Sequence, residues 1–155
     1  MRSFYILILL VLASLLVAQV NFVDMSRFYT YAQMMEELIS YQNQFPNYAK
    51  VDTIGYSSVD NLPILGIKLT ENVQEEQDKP EILIIGTIHA EEVMGNELVM
   101  HNIGEILQNR DNTPYSNWLF DLEMWFIPTI NPDGLSVVHG YWDENEEWIQ
   151  DVFYR

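Results

Sequence analysis

From Tyr29 to Phe45 the apolar residues Tyr31, Met34, Met35, Leu38, Ile39 and Tyr41 recur at helical spacing, with Gln33, Glu36, Glu37 and Gln42 between them. That period predicts an amphipathic helix ended by Pro46, in which the Met34 and Met35 pair fills core space. The pattern then shortens. Val51 to Tyr56 and Ile64 to Leu69 are strand-like runs, and the polar Ser57 to Asn61 segment between them predicts a hairpin at a sheet edge. Glu71 to Pro80 is a charged loop. Beyond it Ile82, Leu83, Ile84 and Ile85 form an unbroken apolar run, which predicts a central strand buried inside a parallel sheet. Helical spacing returns from about Ala90 to Leu107, with Val99, Ile103, Ile106 and Leu107 as its buried stripe. Gly95 runs against helix propensity there, and close packing on the sheet accounts for it. After a loop around Pro114, Trp118 to Leu122 leads into a strand from Glu123 to Ile127. Pro132, Asp133 and Gly134 then predict a sharp turn. Tyr141 to Arg155 has no clean period. Helix, hairpin, strand, helix and strand in succession describe an α/β domain of three layers, a mixed sheet with helices on both faces.

At the carboxyl end of the predicted central strand, where open α/β sheets place their ligands, stand His89 and Glu92. A helix beginning near Ala90 puts both on one face of its first turn. Two readings follow from the spacing. An imidazole and a carboxylate aimed at one point are two of the three protein ligands of a catalytic zinc. Equally, His89 is a loop histidine and Glu92 a first-turn carboxylate favoured by the helix dipole. A third ligand is not supplied nearby. His101, nine residues past Glu92 on the same helix, lies ~13 Å along the axis, too far to share an ion with ligands about 2 Å from it. His139, after the Pro132 turn, is not excluded by geometry, although a histidine in such a loop is usually a surface residue.

Composition changes the picture at two points. Basic Arg2 and the apolar run from Phe4 to Ala18, broken by Ser14, have the layout of a leader peptide over residues 1–18, shorter than the ~20 residues needed to span a bilayer. The expected mature chain is residues 19–155, secreted or periplasmic, with no stable membrane insertion once the leader is removed. An uncleaved anchor is the alternative, because Leu16 is not small. A net charge of -16 repels nucleic acid and anionic membranes, and a chain with no Cys has no disulfides to rely on. No phosphate loop, nucleophile elbow or internal repeat is present.

Four segments resemble the amino-terminal half of the M14 family of zinc carboxypeptidases. Ile54-Gly55-Tyr56-Ser57 is similar to the family's Ile-Gly-x-Ser, and Pro80 to His89 to its Lys-Pro-x-hydrophobic strand ending in Gly-x-x-His. His89-Ala90-Glu91-Glu92 matches its His-x-x-Glu zinc motif, and Asn131-Pro132-Asp133-Gly134 its Asn-Pro-Asp-Gly turn. The resemblance implies a zinc-carboxypeptidase-like fold, incomplete at the carboxyl end, with His89 and Glu92 as ligands of Zn2+. It implies a metallocarboxypeptidase that removes carboxy-terminal residues from peptide or protein substrates. It also implies an arginine beyond the Asn131 turn that polarises the scissile carbonyl, for which Arg155 is the candidate.

Two departures stand out. Glu91 occupies a position where many relatives carry Arg, and Asp60-Asn61-Leu62 replaces the family's Gly-Arg in the hairpin turn. The family's third zinc ligand, its carboxylate-binding pair and its general-base Glu are expected beyond Arg155, so the chain alone is expected to be inactive. From another class, the rival expectation is a secreted non-catalytic module that binds peptides or a protein partner through its exposed sheet.

Overall fold

A computed structural model describes residues 28–145. Residues 1–18, expected as a leader peptide, and Arg155 lie outside them. The first helix, α1 (Tyr31–Gln44), forms where the helical period predicts it and starts on a capping box. The Thr30 side chain accepts from the Gln33 N–H, and the Gln33 side chain from the Thr30 N–H. Its inward face is Met34, Leu38 and Tyr41.

Strands β1 (Ala49–Tyr56) and β2 (Pro63–Leu69) form the expected antiparallel hairpin at a sheet edge, with a bulge between Thr53 and Gly55. Then come β3 (Glu81–Thr87), α2 (Met94–Gln108), α3 (Tyr115–Asp121), β4 (Glu123–Thr129) and α4 (Pro132–Asn145). The sheet order is β1-β2-β4-β3, with β2 antiparallel and β3 parallel to β4. The result is a mixed α/β fold. Leu65, Ile67 and Leu69 of β2 with Met124 and Phe126 of β4 form one sheet face. Met34 and Leu38 of α1 and Val99, Met100, Ile103 and Leu107 of α2 complete the core over it.

The sequence expectations need correcting at three places. The apolar run of β3 is an edge strand of the described sheet, with Ile82, Leu83 and Ile85 at 40%, 60% and 42% exposure. Helix α2 covers the Ile84 side, while Leu83 and Ile85 share the opposite face with Trp125 and Ile127, so a run that looks uniformly buried has one covered side here. Residues leading into β4 are helical: Tyr115–Asp121 make two turns that bury Leu119 and leave Trp118 outside. And Asn131-Pro132-Asp133-Gly134 opens α4 instead of a free turn. Asn131 Oδ1 accepts the Gly134 N–H at 3.0 Å, and Pro132, with no N–H to leave unsatisfied, suits a first helical position.

Candidate metal centre

Strand direction decides which loops meet. Leu69, the last residue of β2, faces Met124 near the start of β4, so β2 begins at the end where β4 finishes. Strand β3 runs parallel to β4, with Thr87 beside Thr129. The hairpin loop 57–62, the loop 88–93 and the segment 130–132 therefore share one rim of the sheet.

His89 and Glu92 both lie in the second of these loops and both are exposed. They are not on the first turn of a helix, as the sequence predicts, because α2 begins only at Met94. Instead residues 89–92 form a tight turn, with the Glu92 N–H donating to the His89 carbonyl at 3.0 Å, followed by a second in which Gly95 donates to Glu92 O at 3.0 Å. Ala90, fully buried, roots the first turn in the fold while the side chains either side of it face outward.

Two close approaches force this path. A Cβ on Gly86 would lie 2.2 Å from the Pro128 carbonyl oxygen and 2.8 Å from that of Gly95, and one on Gly95 would lie 3.1 Å from the Gly86 carbonyl carbon. The close packing expected of Gly95 is thus present, and its partner is Gly86. With strand and helix start pressed together, residues 88–93 can only bulge off the rim.

The Asn131 segment is fastened to the same loop. Asn131 Nδ2 donates to Ile88 O at 3.4 Å, Ile130 N to Thr87 O at 3.2 Å, and a Cβ on Gly134 would lie 2.6 Å from that of Ala90. The hairpin loop joins through Asp133, which is 4% exposed. Its carboxylate accepts from the Ser57 hydroxyl at 2.5 Å and from the Val59 and Asp60 N–H groups at 3.0 and 3.2 Å. Desolvation pushes the Asp133 carboxyl up, but those three donors outweigh it and hold its pKa below the ordinary aspartate range.

A depressed folded pKa stabilises the fold at pH values above the unfolded pKa of about 3.9, and that stability is lost as pH falls through the folded value. Asp133→Asn is therefore expected to cost roughly 1–3 kcal/mol near neutrality, the range for disrupting hydrogen bonds to a charged group. Urea titrations at neutral pH and at successively lower pH should show the gap between variant and wild type closing in acid. A gap that stays constant with pH would mean that the carboxylate charge is not what matters.

Among the described residues no group of three or more His, Cys, Asp or Glu side chains is arranged to hold a metal ion. The loop offers one imidazole, His89, and the carboxylates of Glu91 and Glu92 on a single turn open to solvent, and the His89 and Glu92 pair fits two of the three protein positions of a catalytic zinc. His101 is exposed on α2, well away along the helix. His139 corrects another expectation: α4 carries it inward, one turn past the buried Leu135, and it is 6% exposed instead of lying on a surface loop. The sequence reading missed Thr87, Thr129 and the Ser57–Asp133 bond. A hydroxyl residue at the end of each parallel strand was the available signal for the two threonines.

The sequence profile of the zinc carboxypeptidases matches residues 33–150, from α1 to beyond the Asn131 segment. The chain belongs to that family. A zinc carboxypeptidase of Saccharothrix mutabilis subsp. capreolus is 28% identical over 123 residues, 76% of this chain and 28% of that protein. Carboxypeptidase B of Astacus astacus is 30% identical over 113 residues, 73% of this chain and 35% of its own length. The chain thus spans about a third or less of these zinc carboxypeptidases. Solved structures share the fold at lower identity. Bovine thrombin-activatable fibrinolysis inhibitor, in complex with a tick carboxypeptidase inhibitor, aligns with a TM-score of 0.62 at 17% identity, over 78% of this chain and 36% of that one. Carboxypeptidase A of Helicoverpa armigera aligns with a TM-score of 0.65 at 18% identity, over 73% of this chain and 27% of the other. The zinc carboxypeptidase family implies Zn2+ as the metal, and among the described residues no helix is long and apolar enough to cross a membrane.

Proposed function

We propose that this chain carries part of the active site of a zinc metallocarboxypeptidase, with His89 and Glu92 as two ligands of Zn2+ and peptides or proteins as substrates that lose their carboxy-terminal residue. The observation that carries this reading is the meeting of two motifs at one rim: the His89 turn and the Asn131 segment, 42 residues apart, are joined by the Asn131 amide bond to Ile88 O.

Bound there, zinc supplies a Lewis acid that polarises a carbonyl and brings the pKa of its water toward neutrality. The chain's own residues prepare the place. The turn from His89 to Glu92 presents an imidazole and a carboxylate outward, and Ala90 and Gly134 lock its base. Exposure of both ligands leaves the approach to the metal open, while Asp133 holds the hairpin loop beside it. Arg155, outside the described residues, is the candidate for stabilising negative charge on the scissile carbonyl. The reading includes a leader peptide at residues 1–18 and a secreted or periplasmic location.

A third ligand and a general base are to come from residues this chain does not contain. Incubating the chain with zinc and carboxy-terminal peptide substrates is therefore expected to give no turnover above buffer and only weak metal binding. A longer polypeptide that adds the family's remaining residues is expected to release the terminal amino acid. Robust turnover by the chain alone would overturn the division of the site, and no turnover by the longer form would overturn the carboxypeptidase reading.

A further inference from the structure

Helix α2 lacks a cap of its own. Val93, at its N-cap position, has helical backbone angles (φ -54, ψ -24) and no side-chain hydrogen bond to the helix start. The N–H three residues on, which an N-cap Ser or Thr ordinarily satisfies, belongs to Asn96. It donates instead to Thr87 Oγ1, at 2.9 Å, across from the end of β3. The same hydroxyl donates its proton to the Glu92 carbonyl oxygen at 3.2 Å. One hydroxyl, with a single donor and free lone pairs, is thereby used in both directions. Thr87 is 1% exposed, so water does not compete for either bond. The Glu92 carbonyl, which also accepts from Gly95, is held from two sides.

Beside it in the sheet, Thr129 repeats the arrangement. Its hydroxyl donates to Thr87 O at 3.3 Å and accepts the Asn131 N–H at 3.1 Å. Of the two threonines paired across the parallel strands, Thr129 holds the start of the segment after its strand, and Thr87 holds the end of its loop at Glu92 and the first turn of α2.

We propose that Thr87 is a positioning residue for Glu92: a strand-borne hydroxyl that replaces the missing helix cap and fixes the peptide from which the metal-binding carboxylate projects. The proposal rests on the zinc site described above. Partners that hydrogen-bond a ligating group change metal affinity about 10- to 100-fold when altered, and Thr87, which holds only the backbone of Glu92, is expected at the low end of that range. Thr87→Val keeps the shape and loses the hydroxyl, and Thr87→Ser keeps the hydroxyl and loses the methyl.

Zinc affinity is measured on the full-length protein by competition with a chromophoric chelator, for wild type, both variants, Glu92→Ala, and Thr87→Val combined with Glu92→Ala. The expected results are a loss of about tenfold in Thr87→Val, affinity within about twofold of wild type in Thr87→Ser, and no additional loss from Thr87→Val once Glu92 is gone. A Thr87→Val protein that melts earlier but binds zinc as wild type does would make Thr87 structural and overturn the proposal. So would a loss of the same size in the Glu92→Ala background. Should Thr87→Val not fold, Thr87→Ser decides alone, and a tenfold loss there overturns it. Wild type that binds no zinc, or Glu92→Ala that binds as well as wild type, would overturn the site itself, an outcome distinct from the failure of Thr87.

Discussion

Replacing His89 by alanine in the full-length protein is expected to weaken zinc binding by more than about 100-fold, beyond the range produced by altering residues that touch only a ligand, and to reduce peptide hydrolysis to background. His89 is the one imidazole on the exposed turn, beside the carboxylates of Glu91 and Glu92, and no second imidazole lies next to it. His101 is distant along α2, and no three-residue metal cluster exists among the described residues. Because the imidazole is exposed and the turn is held by Ala90 and by backbone bonds, the substitution should leave the fold intact, with an unchanged circular dichroism spectrum and melting temperature. Metal content after dialysis and hydrolysis of a carboxy-terminal peptide report the result. A variant that keeps stoichiometric zinc and full activity would remove His89 from the site. A full-length wild type that hydrolyses no peptide, and whose partner binding is unchanged by His89→Ala, would return the chain to the non-catalytic reading.

Gly86→Ala is expected to have the largest effect on stability. A methyl group there would sit 2.2 Å from Pro128 O and 2.8 Å from Gly95 O, and both obstacles are backbone, which cannot rotate away as a side chain can. Relief requires β3 to move from β4 or α2 to lift off the strand, and either opens the core. A cost of about 3–5 kcal/mol is expected, at or beyond the upper end of ordinary overpacking penalties. Urea unfolding of the variant checks it. Gly55→Ala is the control, since a Cβ at Gly55 meets nothing within 4 Å. Equal stability of the two variants would mean that the strand and helix start have room to part.

Much of this was legible in the chain because the patterns involved are local. The period of Met34, Leu38 and Tyr41 gives α1, the Asp60-Asn61 loop gives the hairpin, and His89 and Glu92 announce themselves by spacing at a strand's end. What escaped depends on partners far away in sequence. Ile82, Leu83 and Ile85 look buried, yet which side of a strand is covered depends on helices elsewhere in the chain. Asn-Pro-Asp-Gly reads as a turn because each residue type favours turns, but Asn capping and Pro at a first helical position are equally its habits. His139 looked superficial for the same reason: the helix that carries it inward was not foreseen. Ser57 was matched to a family segment without its role, since nothing in the hairpin loop tells of a carboxylate 76 residues on.

The pairing of Thr87 with Thr129 also constrains the order in which the molecule assembles. Their hydrogen bond spans 42 residues, so the ring it closes carries a substantial entropic cost that only the completed parallel pair repays. His89 and Glu92, by contrast, are near neighbours, and an ion gripped by them alone ties off a ring too small to restrict the unfolded chain by much. A metal held at the proposed site by these two side chains alone would therefore add little to the nucleation of folding. On the proposed site, the paired strands would supply the frame and a bound ion would enter it afterwards.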